Sequence, residues 1–387
     1  MKITNARIVL RDRVVDKGTI EIEDERIKEI REGIEKDSEI DAGGKYLAPG
    51  LVDLHPHGSG GFDFMDGEVS DIHGAAHSLA LFGTTCCLPT TLTSSDEELF
   101  SFLDNLKSSQ KNRRNNEARM PGAHLEGPYF NMDQKGAQDP RYIIPPKKEH
   151  YMRVLEKADG VIKRWSVAPE VEGAMDFIKD ISSMGIVVSG GHTKADFDTV
   201  GKAVECGMTM LTHYYSAMSS MIKKGSWKIL GVTEAGFYFD ELTVELISDG
   251  CHIPANLLKL IFKLKDREHI IGISDSMRGA GFESGESILG PKNNGTPVVI
   301  EDGVAKLADR SCFAGSIATG IRMVKTLSTL AELDMPAVFR TVSYNPARII
   351  KMESEIGSLE KGKYADFIIF GDDYSLDSVY ISGEKVE

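Results

Sequence analysis

His55 and His57, separated only by Pro56, are the first residues in this chain whose types and spacing suggest chemistry. On an extended segment alternate side chains share a face, so both imidazoles can turn toward one ion. Gly58, Gly60 and Gly61 follow and permit a backbone path close to a ligand. Further along, Glu126 precedes a Gly127-Pro128 break, His192 follows Gly190-Gly191, and His213 follows Thr212. Two imidazoles and a carboxylate make a ligand set that leaves a position for water, as catalytic zinc requires. Asp275, in Ser274-Asp275-Ser276, is the candidate general base for water that a divalent ion has made acidic. The plainer reading of an Asp there is a helix N-cap. His252, in Asp249-Gly250-Cys251-His252, could polarise a carbonyl or bind an anionic group. The remaining histidines carry less. His73 and His77 share a helix face, but no Glu follows His73, so the HExxH metal motif is absent. His124 shares its strand side with Glu126 and reads as a supporting or packing residue.

The elements that must position these groups follow a repeating pattern. Eight short apolar runs occur at Gly50–Leu54, Thr84–Leu88, Gly122–Leu125, Arg164–Val167, Ile186–Ser189, Met208–Thr212, Val244–Ser248 and Ile270–Ser274. Amphipathic helical stretches follow most of them, among them Ser70–Phe82, Gly173–Met184 and Asp196–Cys206. Strand–helix alternation implies a parallel sheet, and eight units over this length suit a closed (β/α)8 TIM-like barrel. An open doubly wound sheet is the alternative, but no GxGxxG fingerprint follows the first strand. His55, His57, Glu126, His192, His213, His252 and Asp275 all lie at or just beyond the ends of these runs. In a barrel those ends converge on one mouth. The chain termini read differently. Asn5–Leu10, Thr19–Glu23, Arg26–Ile30, Ala365–Phe370 and Ser378–Ser382 are short β-type runs, and Asp24-Glu25 marks a hairpin turn. They are expected to pair into one small β-sandwich domain. Residues 1–49 and 350–387 would then form that domain, and residues 50–349 the barrel.

Composition narrows the partners. The 387 residues carry a net charge of −14, which argues against nucleic acid and anionic membranes. An anionic small substrate would need a local Lys or Arg patch. Five cysteines form no CxxC pair, so neither a disulfide framework nor a Cys-rich zinc site is expected. No apolar run approaches a membrane span, no signal-type segment opens the chain, and a cytoplasmic setting is expected.

Taken together the motifs resemble the amidohydrolase superfamily, and within it the N-acetylglucosamine-6-phosphate deacetylase family. The resemblance is carried by PGLVDLHPHG (Pro49–Gly58), GTTCCLPTTLT (Gly83–Thr93), HLEGPYFN (His124–Asn131), KGAQDP (Lys135–Pro140), GHTKAD (Gly191–Asp196), THYYSAM (Thr212–Met218), DGCHIP (Asp249–Pro254), SDSM (Ser274–Met277) and GSLEKGKYADFIIF (Gly357–Phe370), in order over nearly the whole chain. It implies a metal-binding barrel with a β domain from both termini, and a homodimer. It implies Glu126, His192 and His213 as the main ligands, and His55 and His57 as a second site that some members lose. One or two divalent ions are therefore expected, zinc foremost, with iron or another divalent ion as alternatives. Asp275 matches the catalytic acid/base, Gln138 a contact to the substrate carbonyl, and His252 a contact to phosphate across the dimer. Ser216 and Ala217 stand in a substrate-binding turn that usually reads Tyr-Asn-Ala-Met and here reads Tyr215-Ser216-Ala217-Met218.

A second departure bears on substrate. The family's phosphate-gripping Arg is absent from Ile222–Lys228, where Lys224 is nearest in register. Lys holds phosphate as a point charge without the fork of Arg. The implied reaction is hydrolysis of the acetamide of an amino sugar phosphate, with Asp275 taking a proton from water and passing it to the leaving amine. The alternatives are another N-acetylated amino sugar, such as the galactosamine isomer, another small amide, or a non-catalytic metal-binding relative. A cyclic-amide hydrolase is disfavoured, because the fourth run ends in Ser166–Glu170 without the lysine those enzymes use.

Overall fold

A computed structural model describes all residues, Met1–Glu387. Its central sheet is parallel and curled. The strands are β1 (Leu51–Asp53), β2 (Thr84–Cys87), β3 (Ala123–Glu126), β4 (Ile162–Val167), β5 (Val187–Gly190), β6 (Met208–Leu211), β7 (Thr243–Ile247) and β8 (Ile270–Ile273). The β1 and β2 strands pair in parallel through Leu51 with Thr84 and Val52 with Cys86. The chain just past β2, at Thr90–Thr91, pairs with β3, and parallel ladders then run unbroken from β3 to β8. Between β8 and β1 the link is made by side chains and loops. Ser274 Oγ donates to Asp53 Oδ2 at 2.5 Å, and His57 N donates to Ser276 O at 2.7 Å. All eight expected runs are strands, with ends within a few residues of the expected bounds.

Helices alternate with the strands because the sequence alternates the two periodicities. The expected helices lie at Val69–Leu81, Ala174–Ser183 and Phe197–Glu205. The last begins where Asp196 accepts a hydrogen bond from Thr199 N at 2.9 Å. Asp96–Lys111 starts with a capping box, in which Ser95 Oγ accepts from Glu98 N and Glu98 Oε2 accepts from Ser95 N. Outward residues of the strands pack on these helices. Trp165 of β4 stacks on Tyr129 with ring centroids 5.6 Å apart and meets Phe177 edge-on at 5.1 Å. The inside of the curl is apolar at one level, with Val52, Leu54, Cys86, Leu88, Met210, Ile247, Ile271 and Ile273 in mutual contact. At another level it is polar, with Arg164, His124, Ser166, Ser189, Thr212 and Glu245 all buried.

The two chain ends share one eight-stranded sheet. Lys2–Val9 pairs with Val14–Glu23 and with Tyr46–Pro49, and the latter pairs antiparallel with Phe367–Phe370. The hydrogen-bonded order is continuous, and the sheet folds over a shared core. Ile3, Ile20 and Ile22 from one half meet Phe367, Ile369 and Tyr380 from the other. Two elements had no counterpart in the sequence reading. One is the hairpin Ile222–Lys224 with Trp227–Ile229, and the other a three-stranded sheet at Gly285–Leu289, Thr296–Glu301 and Val304–Leu307. Both are built from strands of three to six residues, too short to set up a clear alternation. No helix is long and apolar enough to cross a membrane.

Candidate active site

The C-terminal ends of the parallel strands open on a cavity of about 400 Å3. His57, Glu126, Gln138, His192, His213, Ser216, Ala217, His252 and Asp275 line it. His55 lies fully buried beside it. Of the residues singled out from sequence, Lys224 alone stands apart, exposed on the hairpin after β6 and outside the cavity lining.

Three donor atoms converge at the centre. His192 Nε2 and His213 Nε2 are 3.1 Å apart, and Glu126 Oε1 lies 3.2 and 3.1 Å from them. The other ring nitrogens are already engaged. His192 Nδ1 donates to Gln134 O at 2.8 Å and His213 Nδ1 to Ser216 O at 3.1 Å. Each proton is thereby fixed on Nδ1, and the Nε2 lone pairs face one another and a carboxylate. That arrangement is repulsive until a cation sits among the three atoms. Tetrahedral ligation at about 2.0–2.2 Å sets neighbouring ligand atoms about 3.3–3.6 Å apart, close to the observed spacing. The donor set fits a divalent ion.

A second group of donors adjoins the first. His55 Nε2 lies 3.4 Å from Glu126 Oε1 and 3.7 Å from Asp275 Oδ1. His57 Nε2 lies 3.5 Å from Glu126 Oε2 and 3.2 Å from Asp275 Oδ1. His55, His57 and Glu126 are all buried and within reach of a common ion. Glu126 is further held by Gln138, whose Nε2 donates to Oε2 at 2.6 Å while its Oε1 accepts from Thr93 N at 2.7 Å.

The electrostatics match this crowding. Burial disfavours charge on Glu126, yet the charge of His55 beside it outweighs this and holds its carboxyl well below the usual range. Burial also opposes charge on Asp275, and His55 and His57 outweigh it to hold the group low. Burial pulls His55 down, but Glu245, Glu126 and Asp275 push it up to about 10. The pocket thus calls for positive charge among its carboxylates. Behind it, burial and Arg164 press His124 well below the ordinary imidazole range, so that its neutral ring bonds Ser166 Oγ at 2.8 Å.

Several supporting residues escaped the sequence reading. Glu245 accepts from His55 Nδ1 at 2.5 Å and pairs with Arg164. Their signal was available: each is a charged residue inside an apolar strand run, and such residues are rarely buried unless paired. Asp249 accepts from His252 Nδ1 at 2.8 Å. Glu170, just past β4, accepts from Asn131 Nδ2 at 2.9 Å and from Thr193 Oγ1 and Lys194 N at 2.5 Å, tying the loops beyond β3 and β5 together. Leu289, Cys312 and Phe313 complete the cavity wall from the segment after β8. Asp275 caps no helix. His73 and His77 lie away from the cavity, where buried His73 pairs with Glu117 and His77 bonds Asn116 O.

A model of the amidohydrolase family matches residues 46–386. The chain belongs to the amidohydrolase family. Its relatives include an N-acetylglucosamine-6-phosphate deacetylase of Lysinibacillus sphaericus, 31% identical over 86% of this chain and 83% of that one. Another, from Bacillus subtilis, is 30% identical over 96% and 93% of the two chains. A solved variant of the Mycobacterium smegmatis N-acetyl-D-glucosamine-6-phosphate deacetylase, in complex with N-acetyl-D-glucosamine-6-phosphate, superposes with a TM-score of 0.91. It is 26% identical and covers 100% of this chain and 99% of its own. The curled parallel sheet is accordingly the TIM-like fold of the amidohydrolase superfamily.

Proposed function

We propose that this amidohydrolase hydrolyses the acetamide of N-acetylglucosamine-6-phosphate, releasing glucosamine-6-phosphate and acetate. The observation that carries the reading is one cavity that joins the Glu126–His192–His213 donor set to Asp275, Gln138 and His252. The similarity to deacetylases of that substrate supports it. Glu126, His192 and His213 would hold a divalent ion, zinc in our reading, that acidifies water and polarises the amide carbonyl. A second ion would sit with His55 and His57.

The residues of the chain then divide the work. Asp275 accepts a proton from the attacking water and returns it to the amine nitrogen, which is otherwise a poor leaving group. Gln138 orients the acetamide through its Nε2, while Thr93 fixes its other end. Ser216 and Ala217 line the sugar side of the cavity. His252, steadied by Asp249, meets the phosphate. Lys224 supplies the charge that Arg supplies in relatives, reaching the phosphate when two copies pair as a homodimer. In this reading residues 50–349 form a closed (β/α)8 barrel, and residues 1–49 and 350–387 a β-sandwich domain. Five free cysteines suit a reducing, cytoplasmic setting.

The test is acetate release by metal-loaded protein from N-acetylglucosamine-6-phosphate, beside unphosphorylated N-acetylglucosamine and N-acetylgalactosamine-6-phosphate. Turnover of the glucosamine phosphate well above the other two is expected. Preference for the galactosamine isomer would move the substrate. No turnover of any, with metal bound, would remove the deacetylase reading.

A further inference from the structure

Glu245 and Arg164 do not line the cavity, yet they are among the most deeply buried charges in the molecule, at 0% relative exposure. Placing both ions inside the curled sheet is unfavourable compared with an apolar pair of similar volume. What an apolar pair could not provide is their geometry. The Arg164 guanidinium pairs with Glu245 Oε2 and also reaches Ser189 Oγ at 3.2 Å, Thr212 Oγ1 at 3.1 Å and Leu54 O at 3.4 Å. It therefore ties together β5, β7 and the residues directly before His55 and His213. Glu245 Oε1 is left aimed at one atom, His55 Nδ1, at 2.5 Å. That contact fixes the proton on Nδ1. His55 Nε2, buried and with no hydrogen-bond partner, faces Glu126 Oε1 and Asp275 Oδ1, so it is the nitrogen that gives up its proton when an ion enters. His57 Nδ1 has no such support and is also without a partner.

We propose that Arg164 and Glu245 are positioning residues that orient His55 through its Nδ1 and thereby set the affinity of the second divalent-ion site at His55, His57 and Glu126. The proposal rests on the metal reading above. It adds that second-ion affinity is set from β4 and β7, by a pair that never meets substrate. Removing a carboxylate behind a histidine ligand typically weakens metal binding about 10–100-fold.

The experiment counts ions. Protein stripped by a chelator is titrated with Zn2+, and ions per chain are read by mass spectrometry and calorimetry. Wild type is expected to take two ions. Glu245→Gln alone would strand the Arg164 charge and risks misfolding, so the double variant Arg164→Gln with Glu245→Gln is used. It is expected to keep the first ion with unchanged affinity and to bind the second about 10–100-fold more weakly. His55→Gln, which leaves the ion pair intact, is expected to lose the same ion. The tautomer is read on metal-loaded wild-type protein from the 15N shifts of labelled histidine, and His55 is expected as Nδ1–H. The proposal is overturned by a wild type saturating at one ion, by second-ion affinity unchanged in the double variant, by loss of both ions from a folded double variant, or by His55 found as Nε2–H. A wild type that binds no ion at all would sink the metal reading itself. A wild type with one ion at Glu126, His192 and His213 would leave that reading standing.

Discussion

Replacing Asp275 by Asn separates the proposed acid/base role from metal retention. Asp275 has φ of 49°, a left-handed conformation that Asn tolerates better than almost any other residue with a side chain. Asn also preserves the side-chain volume and the approach to His57 Nε2 at 3.2 Å. What disappears is the capacity to take a proton. The cavity offers little in its place. Its other carboxylates are Glu126, engaged by Gln138, His192 and His213, and Asp133, whose Oδ2 is paired with Lys194 Nζ at 2.5 Å. General acid–base catalysis contributes about 10²–10⁴-fold. With no free carboxylate to replace it, a loss of kcat near 10³–10⁴ is expected, about 4–5.5 kcal/mol in the barrier. The assay is acetate release under saturating metal, with ion content measured on the same sample. The first ion must remain, because Asp275 is not among Glu126, His192 and His213. A loss below about tenfold with full metal content would refute the acid/base role. So would a loss that tracks a missing first ion.

Three further outcomes follow from the same geometry. Gln138→Ala removes the amide that holds Glu126 and faces the cavity, so kcat should drop about 10²-fold while the first ion stays bound; unchanged kcat would exclude Gln138 from the reaction. Burial pushes the Cys86 thiol up to about 12 and Cys87 well above its ordinary value, so neither should be alkylated by iodoacetamide at pH 8 in the native fold. Peptide mapping that finds either modified before unfolding would contradict that packing. Burial raises the Asp249 carboxyl, but its bonds to His252 and to two backbone N–H groups outweigh this and leave it depressed. A depressed carboxylate contributes stability above its unfolded pKa of about 3.9, and loses it as pH falls through the lower folded value. Asp249→Asn should therefore melt below wild type at pH 7, with the gap closing once the pH falls below about 4. A gap constant across that range would assign the loss to packing.

The fold was legible because period-2 and period-3.6 patterns alternate so regularly between residues 50 and 275. The cavity residues were legible because histidine and carboxylate cluster at run ends, where a parallel sheet collects them. Sequence could not show which charges lie behind the site. Glu245 and Arg164 interrupt apolar runs, but their partnership is 81 residues long in sequence and only the curl of the sheet brings them together. Nor could it show the wall formed by Leu289, Cys312 and Phe313, since nothing in the types or spacing of these residues points to the mouth of the sheet. Lys224 was chosen by register with relatives. Register says nothing of where a hairpin points, and this one stands outside the cavity.

The backbone at the strand ends carries the last step of the argument. His192, His213 and Asp275 have φ of 46°, 31° and 49°, and Ala217 has 47°. Left-handed φ is uncommon for non-glycine residues, and bulky side chains there store strain of about 1–3 kcal/mol each. Of the fourteen non-glycine residues with positive φ most lie in turns away from the site, but four fall on two proposed ligands, the proposed acid/base and a cavity-lining alanine. Each of the first three comes two residues after its strand stops. The reversal of φ lies just past the ladder, and the residue that carries it is the one whose side chain lines the mouth. The loops are then secured by bonds such as Thr193 N to Ala217 O at 3.0 Å and Ser316 N to Asp275 O at 2.7 Å. Gly191→Ala tests how tightly this turn is built. A Cβ at Gly191 would lie 2.8 Å from Thr212 Cβ, so the chain bearing His192 would have to separate from the one bearing His213. Their Nε2 atoms, now 3.1 Å apart, would lose the spacing a single ion needs. First-ion affinity should then fall together with activity, and affinity that holds while activity drops would show that the turn serves substrate rather than metal.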